Sequence, residues 1–205
     1  MQDSGITLAL MGRKRWVFWM TKTVAGVFLR PFFRLKISGV KNLPQKSAFI
    51  LLPKHQRWED IPLLGLATPR PLYYVAKSEL FNNTLSNWFL RSLGGIPLNR
   101  QRPLNSRQSL QSLISLLKEG EGTVVFPEGT YYKNKMGPGR AGVVRMILSR
   151  LSLLFIPVGI HYSREGFQTL VQVNYGKPFY AESGTSPSIF LDQMMKEIAE
   201  LSGLS

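Results

Sequence analysis

His55 and Asp60 stand five residues apart in the stretch Lys54-His55-Gln56-Arg57-Trp58-Glu59-Asp60-Ile61-Pro62. An imidazole titrates near pH 6.5, roughly, so it can accept a proton at neutral pH and return it. A carboxylate within reach fixes the ring tautomer and stabilises the imidazolium that forms. Such a pair can deprotonate a hydroxyl or thiol as it attacks a carbonyl, and a positioned base of this kind contributes roughly 10²–10⁴ in rate. A plainer alternative competes: Asp60 before Ile61-Pro62 could cap a helix that carries proline in its first turn.

The flanking sequence supplies elements that would hold the pair. Ala48-Phe49-Ile50-Leu51-Leu52 is an apolar run of strand length, and Ile61 to Ala67 suits a short helix. His55 then falls at the carboxyl end of a strand, where open α/β sheets bind ligands. Leu72 to Ala76, Gly95 to Leu98, Thr123 to Phe126, Leu153 to Val158 and Leu170 to Tyr175 also read as strands. Leu80 to Leu93 has helical spacing, and Ser106 to Glu119 carries Leu110, Leu113, Ile114 and Leu117 on one stripe with Gly120 behind it. Ala141 to Leu151 and a segment opening at Ser186-Pro187 complete the helices. This alternation predicts an α/β fold with a mostly parallel central sheet flanked by helices. Residues 37–205 are expected to form that domain, behind a distinct segment at residues 1–36.

The N-terminal segment is basic and aromatic. Arg13-Lys14-Arg15 leads into Trp16-Val17-Phe18-Trp19-Met20, then Lys22, Val24 to Leu29 and Arg30-Pro31-Phe32-Phe33-Arg34, with Asp3 as the single acid. A helix over 16–29 would run about 21 Å, short of the roughly 30 Å hydrocarbon core. The pattern predicts an amphipathic helix lying at the membrane interface, aromatics in the headgroup region and cations on anionic lipid, with Pro31 breaking it. The alternative is a helix packed on the protein's own core. No small-residue cleavage site follows the apolar run, against a signal peptide.

Bulk composition narrows the chemistry. Apolar residues make up 44% of the chain, too many for a disordered one. Cysteine is absent, which excludes thiol catalysis, disulfides and cysteine metal sites, and two distant histidines make a poor zinc ligand set. Twenty-six Lys and Arg against twelve Asp and Glu give a net charge of +14, which points to anionic partners: a phospholipid surface, a phosphorylated co-substrate, an acidic carrier protein or nucleic acid.

Four stretches fall at or just after predicted strands: His55 to Asp60, Gly94-Gly95-Ile96-Pro97-Leu98-Asn99-Arg100, Phe126-Pro127-Glu128-Gly129-Thr130 and Ile156-Pro157-Val158-Gly159. In order and spacing they resemble the glycerolipid acyltransferases of the 1-acylglycerol-3-phosphate acyltransferase family, over about Leu35 to Lys177. The resemblance implies a membrane-associated enzyme of phospholipid synthesis. It would transfer a fatty acyl group from acyl-CoA or acyl carrier protein to the hydroxyl of a lysophospholipid, 1-acylglycerol-3-phosphate first, with no cofactor beyond that co-substrate. By the same resemblance His55 is the general base and Asp60 its orienting carboxylate. Arg100, Glu128, Gly129 and Thr130 bind the acceptor and its phosphate, or Glu128 orders the His55 loop. The enzyme would sit as a peripheral or monotopic protein on the cytoplasmic face of the membrane.

On their chemistry alone, Arg100 offers a planar fork for two phosphate oxygens, and backbone N–H groups near Gly129 or the His55 loop are candidates for an oxyanion site. Pro157 sets a strand-end bend, and Gly137 to Gly142 reads as a loop into a helix whose start, with Arg140, could hold a phosphate. The acyl chain needs an apolar groove, which Trp88, Phe89, Leu90 and Leu93 could line. Two departures from the family pattern stand out. Lys54 and Arg57 occupy positions where many members have Asn and Ser, and Tyr131-Tyr132 follow Thr130 where many have Arg. Lys54, Arg57 or Lys133 could supply the missing cation, or the acceptor is a different lysolipid. His161 is expected to be a strand-end residue. A second class of function remains, an inactive basic protein that binds membrane or nucleic acid, although no nucleic-acid motif is present.

Overall fold

A computed structural model of the chain describes residues 13–99, 107–181 and 186–204. It opens with helix α1 (Arg15–Leu29) and strand β1 (Phe33–Ser38), followed by β2 (Phe49–Pro53), α2 (Asp60–Ala67) and β3 (Leu72–Lys77). A 3₁₀ turn at Ser78–Phe81 leads to α3 (Thr84–Ser92) and β4 (Gly95–Leu98); then come α4 (Arg107–Lys118), β5 (Gly122–Val124) and α5 (Ala141–Leu148). The chain finishes with β6 (Leu153–Glu165), β7 (Gln168–Tyr175), β8 (Phe179–Ala181) and α6 (Pro187–Leu201).

The strands form one sheet in the order β1-β7-β6-β2-β5-β3-β4, with β8 also beside β6. Pairing is parallel throughout β6-β2-β5-β3-β4 and between β1 and β7, and antiparallel where β6 meets β7 and β8. All five residues of β2 are buried. Successive side chains leave opposite faces of a strand, so Phe49 and Leu51 enter one apolar layer with Leu63 and Leu64 of α2, while Ile50 and Leu52 enter the other with Leu113 of α4, Val144 of α5 and Met194 of α6. A strand covered on both faces has to be continuously apolar, which is why β2 shows no alternation. The expected α/β architecture with a mostly parallel sheet is what the chain adopts.

Several boundaries differ from the sequence reading, each for a local reason. Residues 33–36, grouped above with the N-terminal segment, belong to β1, which pairs along β7 from Phe33 to Ser38. The predicted helix over 80–93 begins only at Thr84, because Asn83 caps it by accepting a hydrogen bond from Leu85 N–H at 2.9 Å. Strand β5 stops at Val124, and β6 runs seven residues past the predicted end at Val158, where it changes partner from β2 to β7. Strand β8 has no sequence counterpart above.

Gly159 of the fourth stretch is used for packing. A Cβ there would lie 2.2 Å from the Leu201 backbone, where the end of α6 presses on β6. Gly159→Ala should therefore lower stability by roughly 1–3 kcal/mol, read as a lower midpoint in thermal or urea unfolding. An unchanged midpoint would show that α6 does not seat on β6 as described.

Candidate active site

Sheet register brings three of the four stretches together. Phe49 pairs with Gly122 and Leu51 with Val124; carried past the strand ends, that register sets His55 opposite Glu128. Pro53 pairs with Val158 on the other side, which sets Arg57 opposite Tyr162. The contacts follow: His55 N–H donates to Glu128 Oε2 at 2.9 Å, Lys54 N–H to the Val158 carbonyl at 2.9 Å, and Gln56 Nε2 to the Ile160 carbonyl at 2.7 Å.

Asp60 is the hub of the His55 loop. Its carboxylate is buried; Oδ2 lies 3.0 Å from His55 Nδ1 and accepts the N–H groups of Gln56 at 2.6 Å and Arg57 at 2.8 Å, while Oδ1 accepts Tyr162 OH at 2.5 Å. The capping alternative fails on this geometry. A capping carboxylate accepts amides later in the chain, whereas Asp60 is the first residue of α2 and accepts amides before it. His55 is only 7% exposed, stacked on Phe126 with ring centroids 3.9 Å apart and met edge-on by Tyr131 at 4.3 Å. With Nδ1 on the carboxylate and the ring sandwiched, Nε2 is the nitrogen left for a substrate proton.

Glu128 has both carboxylate oxygens occupied by protein donors. It is wholly buried, and its oxygens accept Lys54 Nζ at 2.8 Å each, His55 N–H and Gly137 N–H at 2.6 Å. Of the two roles that the resemblance implied, this geometry fits ordering the His55 loop; the lone pairs that an acceptor hydroxyl would need are occupied. Lys54, expected as an anion contact, is also wholly buried. It reaches the carbonyls of His55 at 3.1 Å and Tyr132 at 2.9 Å besides Glu128, so it is closed to an incoming anion. Burial holds its pKa below the ordinary lysine range, opposed in part by the hydrogen bond to Glu128.

The remaining candidates separate clearly. Gly129 adopts a left-handed backbone (φ 72°) and closes the turn through its N–H to the Phe126 carbonyl at 3.1 Å. That bond, with those of His55, Gln56 and Arg57, commits four of the amides near Gly129 and in the His55 loop. Thr130 is half-buried beside it; Lys133 and Arg140 are exposed. Arg57 is half-buried with its guanidinium 4.4 Å from the Tyr162 ring centroid. Arg100 lies outside the described residues. His161 sits on β6 with Nδ1 3.0 Å from the Ser202 carbonyl, a structural contact away from the His55–Asp60 pair.

A cavity of about 270 Å³ is lined by Phe126, Leu98, Val125, Val143 and Met146, with Asn99 and Arg140 among its polar lining. The stripe Trp88, Phe89, Leu90 and Leu93 does not line it. Tyr162 and Gln56 were missed by the sequence reading. Finding them needs the β2/β6 register, which no pattern within one strand reveals.

Comparison with known proteins gives the family and the fold. The family model described as Acyltransferase matches residues 34–161, more than half of the chain. A 1-acyl-sn-glycerol-3-phosphate acyltransferase of Bacillus subtilis is 38% identical over 47% of this chain and 48% of its own length. A lyso-ornithine lipid O-acyltransferase of Pseudomonas aeruginosa is 28% identical over 74% of the chain and 54% of its own. The matches thus span about half the length of these curated relatives. The crystal structure of the 1-acyl-sn-glycerophosphate acyltransferase PlsC from Thermotoga maritima shares the fold, with a TM-score of 0.73 over 98% of this chain and 87% of that one, at 22% identity.

The Lys54–Glu128 pair makes a stability prediction. Lys54→Met strands a buried carboxylate and should cost roughly 3–5 kcal/mol. Lys54→Met with Glu128→Leu should recover part of that loss, as a double-mutant cycle in urea denaturation would show. Additive losses would mean that the two charges do not depend on each other.

Proposed function

Because the chain belongs to the acyltransferase family, we propose that it moves a fatty acyl group from a thioester, acyl-CoA or acyl carrier protein, to the free hydroxyl of a lysophospholipid. The observation that carries this reading is the His55–Asp60 contact at 3.0 Å, buried at the carboxyl end of β2 and held by three further hydrogen bonds to Asp60. His55 Nε2 takes the proton of the acceptor hydroxyl as its oxygen attacks the thioester carbonyl. The tetrahedral oxyanion collapses, the carbon–sulfur bond breaks, and the imidazolium returns the proton to the departing thiolate. No acyl-enzyme is required. The cavity lined by Phe126 suits the acyl chain, since each buried methylene contributes roughly 0.8 kcal/mol.

The acceptor's headgroup has fewer cations available than the sequence suggested. With Lys54 committed to Glu128, the described cations near the loop are Arg57, Lys133 and Arg140. Arg57 lies nearest to the dyad, its N–H already on Asp60. Lysophosphatidic acid is the first acceptor to test, on the names of the relatives. Tyr131 against His55 and the lyso-ornithine lipid relative favour including a lysolipid without that phosphate.

Membrane contact is the second part of the proposal. Helix α1 buries Val17, Phe18 and Gly26 against the body yet exposes Trp16, Trp19, Met20, Val24, Val27 and Phe28. Leu85, Trp88 and Phe89 of α3 and Ile61 of α2, helices that pack on α1, are exposed as well. Such a surface, with Arg15 and Arg30 at the helix ends, suits an anionic phospholipid interface. No helix among the described residues is long and apolar enough to cross a membrane. Thioester donors of this kind would meet the protein as a peripheral or monotopic enzyme on the cytoplasmic face.

The decisive assay is thiol release from palmitoyl-CoA with a panel of lysolipids, and acyl carrier protein as the second donor. Turnover should depend on one lysolipid and fall at least about 10³-fold in His55→Ala and Asp60→Asn. Wild-type rates in a folded His55→Ala protein would remove the mechanism, and strong salt-dependent binding to DNA without turnover would favour the binding-protein reading. Serine at Trp16, Trp19 and Phe28 together should weaken cosedimentation with anionic liposomes roughly tenfold or more while leaving the unfolding midpoint in place. Unchanged cosedimentation would count against α1 as the contact.

A further inference from the structure

Tyr162 stands where two functions of the proposed site meet. It lies on β6 just beyond the fourth stretch and half-buried, at the position that the β2/β6 register sets opposite Arg57. Its hydroxyl donates to Asp60 Oδ1 at 2.5 Å, on the oxygen not used by His55. Its ring face carries the Arg57 guanidinium at 4.4 Å. One side chain therefore touches both the carboxylate that orients the base and the cation nearest to that base.

Each contact has a chemical consequence. A carboxylate accepting through one oxygen alone can swing about its Cβ–Cγ bond; accepting through both, it is fixed in plane, and the imidazole on Oδ2 is fixed with it. Burial, and then the Asp60 charge, push the Tyr162 hydroxyl above the ordinary tyrosine range, so it stays protonated and remains the donor. The aromatic face holds a guanidinium by cation–π attraction while leaving its in-plane N–H groups free for a planar anion. No hydrogen bond or ion pair from the Arg57 guanidinium is found among the described residues.

We infer that Tyr162 is a positioning residue for the acyl transfer, fixing the His55–Asp60 base through its hydroxyl and presenting Arg57 to an anionic group of the acceptor through its ring. This rests on the His55 mechanism proposed above. It adds a division of labour: the hydroxyl governs the chemical step, and the ring governs acceptor binding.

Two substitutions at one position separate the halves. Initial rates are measured with palmitoyl-CoA and 1-oleoyl lysophosphatidic acid in detergent, each substrate varied in turn. Tyr162→Phe removes only the hydroxyl; kcat should fall about 10- to 100-fold, with the acceptor KM within about twofold of wild type because the ring still holds Arg57. Tyr162→Leu removes both contacts and should add a rise of roughly tenfold in acceptor KM, with the donor KM unmoved. Arg57→Gln, which keeps the Tyr162 hydroxyl, should raise acceptor KM by a larger factor than it lowers kcat, and it stands in should the leucine variant fail to fold. A Tyr162→Phe protein with wild-type kcat overturns the hydroxyl's role. A Tyr162→Leu or Arg57→Gln protein with wild-type acceptor KM overturns the ring's role. His55→Ala in the same series keeps the two levels apart. If it is inert while Tyr162→Phe is unaffected, only this inference fails; if it retains the wild-type rate, the underlying mechanism fails and the inference with it.

Discussion

The Glu128 carboxylate is wholly buried between two loops, and the site is built around satisfying it. An isolated charge in that environment is strongly disfavoured. It is held by the Lys54 ammonium and by two backbone amides, one from His55 and one from Gly137. Lys54 in turn fills its coordination with the His55 and Tyr132 carbonyls, and Tyr132 N–H closes back onto the His55 carbonyl at 2.9 Å. The result is a closed polar network that fastens the segment after β5 to the loop after β2. Each member is satisfied by the others, the condition under which a buried network rigidifies a site. The backbone of His55 is held by Glu128, while its side chain is held by Asp60.

These two carboxylates have separate tasks, and geometry keeps them so. Glu128 takes an amide and an ammonium from the loop after β2 and one amide from its own segment; Asp60 takes an imidazole, a phenol and two amides within its own loop and from β6. Among the described residues no lysine or arginine side chain is ion-paired with Asp60, so its charge remains available to stabilise an imidazolium. Glu128 is already neutralised by Lys54. The proposed base can thus gain a proton during turnover without competing with the pair that holds its loop together.

The sequence carried the strands that lie under both apolar layers, and with them the places where loops would meet. The all-apolar run at 48–52, the leucine stripe of α4 and the four stretches are local signals, legible within ten or fifteen residues. Strand β1 was legible too: Phe33-Arg34-Leu35-Lys36-Ile37-Ser38 alternates with period two, but its cations group it with the basic segment before it. Other features were not local. A lysine directly after an apolar strand reads as solvent-exposed, and Lys54 is buried only because Glu128 arrives beside it from 74 positions away. Tyr162 meets Asp60 from 102 positions away, through a strand register that sequence patterning does not contain. Strand β8, three residues long and directly after Lys177-Pro178, is too short to show a period.

The distribution of positive charge then separates attraction from recognition. The net charge of +14 draws any anion toward the protein, with little discrimination among lipid, nucleotide and carrier protein. Discrimination has to come from cations whose position is fixed. Lys133 and Arg140 are exposed on the loop after the turn at Gly129, and exposed long side chains hold an anion loosely. Lys54 is fixed, but closed by Glu128. Arg57 is fixed on both sides, its amide by Asp60 and its guanidinium by the Tyr162 ring, and its planar fork can bind two oxygens at once. Tyr131 packs against the His55 ring with centroids 4.3 Å apart, where it contributes shape and no charge. An acceptor whose anionic group lies toward Arg57 would therefore bring its hydroxyl to His55 along one side of the imidazole, so the headgroup's charge and the base's orientation depend on the same strand, β6.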